Sequence, residues 1–222
     1  MIGFVVRSRN EEQHVGFALQ SIFDFFGEKT YVVVVDNEST DNTLHVVKSF
    51  PKKFFNIQIT TIKNQTYTPG LALNTGLSLL KDAGCEFGGI LSSHCEITKM
   101  NIDFLLNHFS DPSCFGVMGK QIPIRMGKRI TPRYIWSNFQ HQNVMSNIKE
   151  STLLDEDRYF FHNAFSFIRI DSWNKIKFNE NLAGKEDRFW AKDLIELGGN
   201  FIFDPRIECK HYWTDKGATW RD

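Results

Sequence analysis

Tyr31-Val32-Val33-Val34-Val35-Asp36-Asn37-Glu38-Ser39-Thr40-Asp41-Asn42-Thr43 decides the fold of this chain. Four valines behind a tyrosine make a β-branched run with no polar face, as a strand buried on both sides of a parallel sheet requires. The run stops abruptly in polar residues, so Asp36 stands at the carboxyl end of a buried strand. Ser39 or Thr40 can then cap a helix carrying Leu44, Val47 and Phe50, which Pro51 terminates.

The same rhythm continues on both sides. Ile2 to Val6 is a short apolar strand. Val15, Ala18, Leu19, Ile22, Phe23 and Phe26 fall at helical spacing, predicting a helix over Glu11 to Phe26 with acidic residues in its first turn. Downstream, Ile57 to Ile62 alternates as a third strand. Pro69-Gly70 opens a helix over Leu71 to Ala83, Gly84 closes it, and Phe87 to Ser92 is a fourth strand. Alternating strands and helices imply an open α/β sheet with right-handed crossovers, whose ligands bind beyond the carboxyl ends of its strands. The loops Arg7-Ser8-Arg9-Asn10, Asp36 to Ser39 and Ser93-His94-Cys95-Glu96 therefore matter first.

The second half is less regular. Helices are expected at Asn101 to Phe109 and Lys185 to Leu197, the latter stopped by Gly198-Gly199. Strands are expected at Phe115 to Ile124, ending near Pro123, and at Phe160 to Ile170, Phe201 to Phe203 and Ile207 to Tyr212. Ile130 to Asp157 is polar with little periodicity and reads as an acceptor-side region. No linker divides the chain, so residues 1–222 are expected to form one domain.

Composition narrows the function. A hydrophobic fraction of 41% with 21 phenylalanines supplies an aromatic core, and 26 basic residues balance 26 acidic ones without a long basic block. That argues against an electrostatic nucleic-acid binder. No apolar run approaches the roughly 20 residues of a membrane-spanning helix, and Arg7 and Arg9 interrupt the first apolar stretch, unlike a signal peptide. Cys85, Cys95, Cys114 and Cys209 are widely spaced with no CxxC pair, which fits a reducing cytoplasm.

Four places can carry chemistry. Asp36 could accept a hydrogen bond from a nucleobase or ribose; equally, Asp36, Ser39 and Asp41 could shape a turn and cap a helix. His94 and Glu96, two residues apart, could face one divalent cation, although a histidine at a strand end is often structural. In Lys185-Glu186-Asp187-Arg188-Phe189-Trp190, Asp187 shares the inward face with Trp190 and Leu194, which suits a general base; the other reading is helix-dipole stabilisation with a salt bridge to Arg188. His211, in Cys209-Lys210-His211-Tyr212-Trp213, is either a core residue or a cation ligand.

Taken in order, Arg9-Asn10-Glu11-Glu12, Val34 to Thr43, Gly70-Leu71-Ala72-Leu73-Asn74-Thr75-Gly76, Leu91 to Glu96, Phe178-Asn179-Glu180, Glu186 to Trp190 and His211 resemble family 2 glycosyltransferases of the GT-A fold. The resemblance covers nearly the whole chain. It implies a Rossmann-like, mixed but mainly parallel sheet flanked by helices, with a nucleotide-binding half (1–100) and an acceptor and catalytic half (101–222). It further implies sugar transfer, with inversion, from a nucleotide-sugar donor to a glycan, lipid-linked or other hydroxyl acceptor. Arg7, Arg9, Asp36, Asn37 and Asn74 would hold the nucleotide. Lys120, Gln121, His162, Asn163 and Glu186 fall where the donor sugar or acceptor approaches, and Asp187 aligns with the catalytic base. His94, Glu96 and His211 would hold a divalent metal, manganese or magnesium. The chain departs from the family in that neither position of the Asp-x-Asp metal motif is aspartate. An inactive nucleotide-sugar-binding protein is the main alternative; a nucleotidyltransferase would carry the glycine-rich phosphate loop that Arg7-Ser8-Arg9-Asn10 lacks.

Overall fold

A computed structural model describes residues 1–53, 55–129, 143–145 and 161–213, the backbone alone at 143–145. Strands β1 (Ile2–Ser8), β2 (Tyr31–Asp36), β3 (Asn56–Thr61) and β4 (Phe87–Ser92) alternate with helices α1 (Val15–Phe26), α2 (Thr43–Ser49) and α3 (Pro69–Asp82). Then follow β5 (Cys95–Lys99), α4 (Ile102–Phe109), β6 (Cys114–Arg125), β7 (Lys128–Arg129), β8 (Asn143–Met145) and β9 (Phe165–Arg169). Helices α5 (Ile170–Lys175) and α6 (Glu186–Glu196) and strand β10 (Asn200–Tyr212) complete the described chain. Most of the sequence-predicted acceptor-side region, and Phe160, lie outside the described residues.

All ten strands join one sheet, ordered β3-β2-β1-β4-β9-β6-β10-β5, with β7 on β6 and β8 on β10. The first four are parallel, as the valine run requires. The antiparallel β9 joins β4 to β6, and β10 runs parallel to β6 and antiparallel to β5. Two apolar layers flank the sheet. Val5, Val33 and Val35 face α3 and Trp190 on one side; Phe4, Val6, Val32 and Val34 face α1 on the other. Close approach makes Gly76 necessary: a Cβ there would lie 2.5 Å from Val5 Cγ1, so α3 could not settle on β1.

Several elements differ from the sequence reading, each for a local reason. Helix α1 starts at Val15 because the preceding backbone is hydrogen bonded to the loop after β2. Strand β6 runs through Pro123 to Arg125, since β9 pairs only with Gly116 to Met118 and no described ladder on that side needs the missing N–H. The two expected terminal strands are one, β10, whose register shifts between Asp204 and Glu208. Strand β5 went unforeseen; five residues of Cys95-Glu96-Ile97-Thr98-Lys99 carry too little pattern.

The shift in β10 has a charged anchor. Asp204 is fully buried, accepts from Arg206 Nη2 at 2.6 Å, and lies 2.7 Å from His108 Nε2. Burial opposes its charge, but the hydrogen bonds from Arg206 and His108 outweigh it and hold the carboxyl down at about 2. A depressed pKa stabilises the fold above the unfolded value of 3.8, and that contribution is lost as pH falls toward 2. Urea midpoints should therefore drop over that acid window in wild type. Asp204→Asn should be less stable at neutral pH and lose part of the acid dependence, as pH-resolved denaturation would show.

Candidate active site

Two of the motifs hold each other at the carboxyl edge of the sheet. Asn10 N donates to Ser39 Oγ (3.0 Å) and its Oδ1 accepts from Thr40 N (2.8 Å). Glu11 N donates to Thr43 Oγ1 (2.7 Å), and Glu12 N to Asp41 Oδ2 (3.1 Å). Glu12 Oε2 accepts from Asn42 N and Nδ2 at 2.9 and 2.8 Å. The loops after β1 and β2 are thereby one unit. Asn10 and Glu38 within it, and Lys185 before α6, take left-handed φ values of 51°, 46° and 60°. Such backbone conformations are uncommon away from glycine and persist only where the surroundings hold them.

Asp36 is committed inside this unit. It is fully buried, and Ser39 donates from N (2.9 Å) to one carboxylate oxygen and from Oγ (2.5 Å) to the other. The turn reading therefore describes its contacts, rather than a carboxylate emerging toward a nucleotide. Asn37 beside it is also fully buried, but both atoms of its amide lack a hydrogen-bond partner among the described residues, as does Ser8 Oγ on β1. Buried polar atoms of this kind call for a ligand or ordered water.

Arg7 links β1 to α6. Its Nη1 donates to Glu186 Oε1 at 3.2 Å, with the two side chains 17% and 6% exposed. Burial works against the guanidinium charge, yet Glu186 and neighbouring Tyr67 and Asp187 more than offset it, keeping Arg7 above its ordinary pKa. Asp187 points inward as its helical position predicts. Its Oδ2 accepts from Asn163 N at 3.0 Å and its Oδ1 from Arg188 N at 2.9 Å. Burial raises the pKa values of both carboxyls, and Glu186 is raised further by the charge of Asp187. Asn163 Oδ1 accepts from Ser166 Oγ (3.1 Å), while its Nδ2 is buried without a partner among the described residues. Arg9, more exposed, donates from Nη1 to Asn64 Oδ1 at 2.8 Å.

A row of histidines continues the site. His94 and His211 stack with ring centroids 4.9 Å apart and planes 14° off parallel. His94 Nδ1 lies 2.9 Å from Glu11 Oε1, and His211 Nδ1 lies 2.9 Å from Gln121 Oε1. Gln121 Nε2 is in turn 2.9 Å from His162 Nδ1. Burial, reinforced by positive neighbours, pushes His162 down to about 4 and His211 well below its usual value, so both rings are neutral at pH 7. Burial opposes the charge of Glu11, but hydrogen bonds from His14 and His94 prevail and hold it ionised below the usual range. Donor atoms of His94, Cys95 and His211 lie within 4.8 Å of one another.

Three expectations need correction. Glu96 does not belong to that cluster: its Oε2 accepts from Lys210 Nζ (3.2 Å) and from the Tyr212 hydroxyl. The pleat explains this, because Cys95 pairs with His211 and Glu96 with Lys210, placing the two on opposite faces of β5. Asn74 is a joint of the fold. Its Nδ2 donates to Phe178 O (2.9 Å) and Glu180 Oε1 (2.8 Å), and its Oδ1 accepts from Trp173 Nε1 (2.9 Å) and Phe178 N (3.1 Å). Both amide hydrogens and both lone pairs are used, leaving none for a nucleotide. Gln121 joins two histidines, and Lys120 lies 3.9 Å from Glu208.

Sequence reasoning missed Glu11, His14 and Tyr67. Glu11, expected as an acidic residue in the first turn of a helix, is buried before α1, and His14 stacks on Tyr212. Burial raises the Tyr67 hydroxyl, which also feels the charges of Arg7, Glu186, Arg9 and Asp36. Only the interruption of the polar stretch 63–68 by one aromatic marked it out.

A family model described as glycosyl transferase family 2 matches residues 4–176. The chain belongs to glycosyl transferase family 2. Among curated relatives of this family 2 member, the poly(ribitol-phosphate) beta-N-acetylglucosaminyltransferase TarS of Staphylococcus aureus (strain MW2) is 31% identical over 168 residues, covering 70% of this chain and 29% of TarS. A dolichyl N-acetyl-alpha-D-glucosaminyl phosphate 3-beta-D-2,3-diacetamido-2,3-dideoxy-beta-D-glucuronosyltransferase of Methanococcus voltae is 32% identical over 229 residues, covering 95% of this chain and 66% of its own. The chain thus spans less than a third of TarS and about two thirds of the archaeal enzyme. In structure, it superposes on S. aureus TarS 1–349 in complex with UDP-GlcNAc with a TM-score of 0.71 at 20% identity, over 96% of this chain and 59% of that one. For the mannosyltransferase PcManGT from Pyrobaculum calidifontis in complex with GDP-Man and Mn2+ the TM-score is 0.66 at 18% identity, over 97% and 58%. These likenesses establish the GT-A fold.

Asn74→Ala should destabilise this family 2 chain by about 3 kcal/mol, since it strands buried donors of Trp173 and Phe178. Urea denaturation checks this; wild-type stability in that variant would overturn the role of Asn74 as a joint of the fold.

Proposed function

We propose that this chain transfers a glycosyl group from a nucleotide-sugar donor to an acceptor hydroxyl, with inversion, and that Asp187 is the general base. The observation that carries the reading is the junction of Arg7, Glu186 and Asp187, where a buried carboxylate of raised pKa sits against the edge of a nucleotide-binding type of sheet. Arg7 and Arg9 offer positive charge to a diphosphate, and the buried amide of Asn37 offers a donor and an acceptor. Asp36 serves by holding the loop. Residues 1–100 then form the nucleotide half, and Asn163, Glu186 and Asp187 bring the acceptor side to it.

The donor set at His94 and His211 fits a divalent cation. Two stacked imidazoles with Nδ1 held by Glu11 and Gln121 are nitrogen ligands, which suit manganese better than magnesium. Such a cation, when bound, offsets the negative charge of the departing diphosphate. The residues do the remainder: Arg7 and Glu186 place α6, the Asn163 N–H fixes the Asp187 carboxylate, and Asp187 accepts the acceptor's proton.

The curated relatives favour glycan assembly, with a polymer-borne or lipid-linked acceptor as their names describe. UDP or UDP-GlcNAc in the TarS structures makes a uridine donor the first to try. No described helix is long and apolar enough to cross a membrane. The four cysteines are free, which fits a cytoplasmic setting.

Asp187→Asn should keep nucleotide-sugar binding, read as thermal stabilisation, while transfer falls by about 10²- to 10⁴-fold. Normal turnover by that variant would refute the base assignment. Acid loss of kcat/KM should also set in above the usual carboxylate range of about 4, because a raised pKa protonates the base earlier as pH falls. A pH–rate profile checks this, and Mn2+ should support more transfer than Mg2+ at equal concentration.

A further inference from the structure

Hydrogen-bond direction along the histidine row follows from one backbone group. Ala164 N can only donate, and it donates to His162 Nδ1 at 3.2 Å. That ring nitrogen must therefore carry a lone pair, with the ring proton on Nε2. Gln121, 2.9 Å from the same atom, must turn its NH2 group toward it. Its carbonyl oxygen consequently faces His211, and an oxygen 2.9 Å from His211 Nδ1 can only accept, so His211 carries its proton on Nδ1. At the other end of the row, Glu11 Oε1 lies 2.9 Å from His94 Nδ1, and a carboxylate oxygen accepts, so His94 also carries a proton on Nδ1. In the neutral form, each of the two stacked rings then has its lone pair on Nε2.

Building on the reading of His94 and His211 as cation ligands, we infer that Glu11 and Gln121 are positioning residues. They lock both rings in the Nδ1–H form and so reserve both Nε2 atoms for one divalent cation. Neither need touch the cation or the donor. The placement of Glu11 supports a dedicated role: its backbone is pinned by Thr43 Oγ1 at 2.7 Å, and its other carboxylate oxygen is 3.4 Å from His14 Nδ1. Gln121 is held in the same way, buried between His162 and His211. Outer partners of this kind orient metal-binding histidines and typically change metal affinity 10- to 100-fold when removed. The arrangement also compensates for the missing aspartates of the family motif, since a carboxylate and an amide oxygen raise ligand basicity from behind the rings.

The test reads tautomers in the unmodified chain before any variant is needed. Long-range ¹H–¹⁵N correlation spectra of ¹⁵N-histidine-labelled, metal-free protein should show His94 and His211 as Nδ1–H and His162 as Nε2–H. An Nε2–H or doubly protonated form of His94 or His211 overturns the proposal. Glu11→Gln should shift His94 toward Nε2–H, because its NH2 group can donate where the carboxylate could not. It should weaken Mn2+ binding about 10- to 100-fold, by electron paramagnetic resonance with MnCl2 and UDP. Gln121→Leu should do the same through His211, with circular dichroism and UDP affinity in the absence of metal near wild type. Unchanged Mn2+ affinity in both variants overturns the positioning role. Wild type with the expected tautomers but no Mn2+ binding overturns the cation reading itself, and the purpose assigned to Glu11 and Gln121 with it.

Discussion

Arg7 leaves the first strand and meets Glu186 across 179 residues of chain, in a setting that water barely reaches. Leaving either charge buried without the other would cost about 3–5 kcal/mol, so the pair constrains both elements together. Helix α6 cannot shift from the end of β1 without stranding a charge. Asp187, the next residue, is placed by that constraint, and the Asn163 N–H completes its position. The pair serves as a registration device between the two halves of the sheet.

Around it, polar loops behave like packed structure. The segments Asn10 to Glu12 and Ser39 to Thr43 exchange hydrogen bonds over about 30 residues of chain, which is why their side chains occur as matched sets. Motifs read as ligand-binding are thus partly motifs of loop-to-loop recognition. Asp36 shows this most clearly, since Ser39 donates to both of its carboxylate oxygens. Asn74 shows it at the far side, tying α3 to the segment that precedes α6. A rigid edge built this way can hold buried, unpartnered groups such as the Asn37 amide ready for a ligand.

The histidine row differs because its order follows from strand pairing. His94 enters β5, His211 lies on β10, Gln121 on β6, and His162 precedes β9. The register of β6, β10 and β5 brings them side by side. Direction of hydrogen bonding then passes from a backbone N–H through an amide to a ring, giving neutral side chains defined roles.

Much of this was legible from the chain alone. Four valines ending in Asp36, and apolar spacing switching between two and 3.6 residues, determine the parallel half, because buried strands and amphipathic helices are selected by neighbours a few residues apart. The inward face of Asp187 followed from the same helical spacing. What only the tertiary structure decided is which side chains meet. Glu96 parts from Cys95 and His211 through the pleat of β5, Glu11 turns out buried, and Gln121 reaches a histidine 90 residues away. Those outcomes depend on strand order and register, which long-range pairing sets and local spacing does not encode.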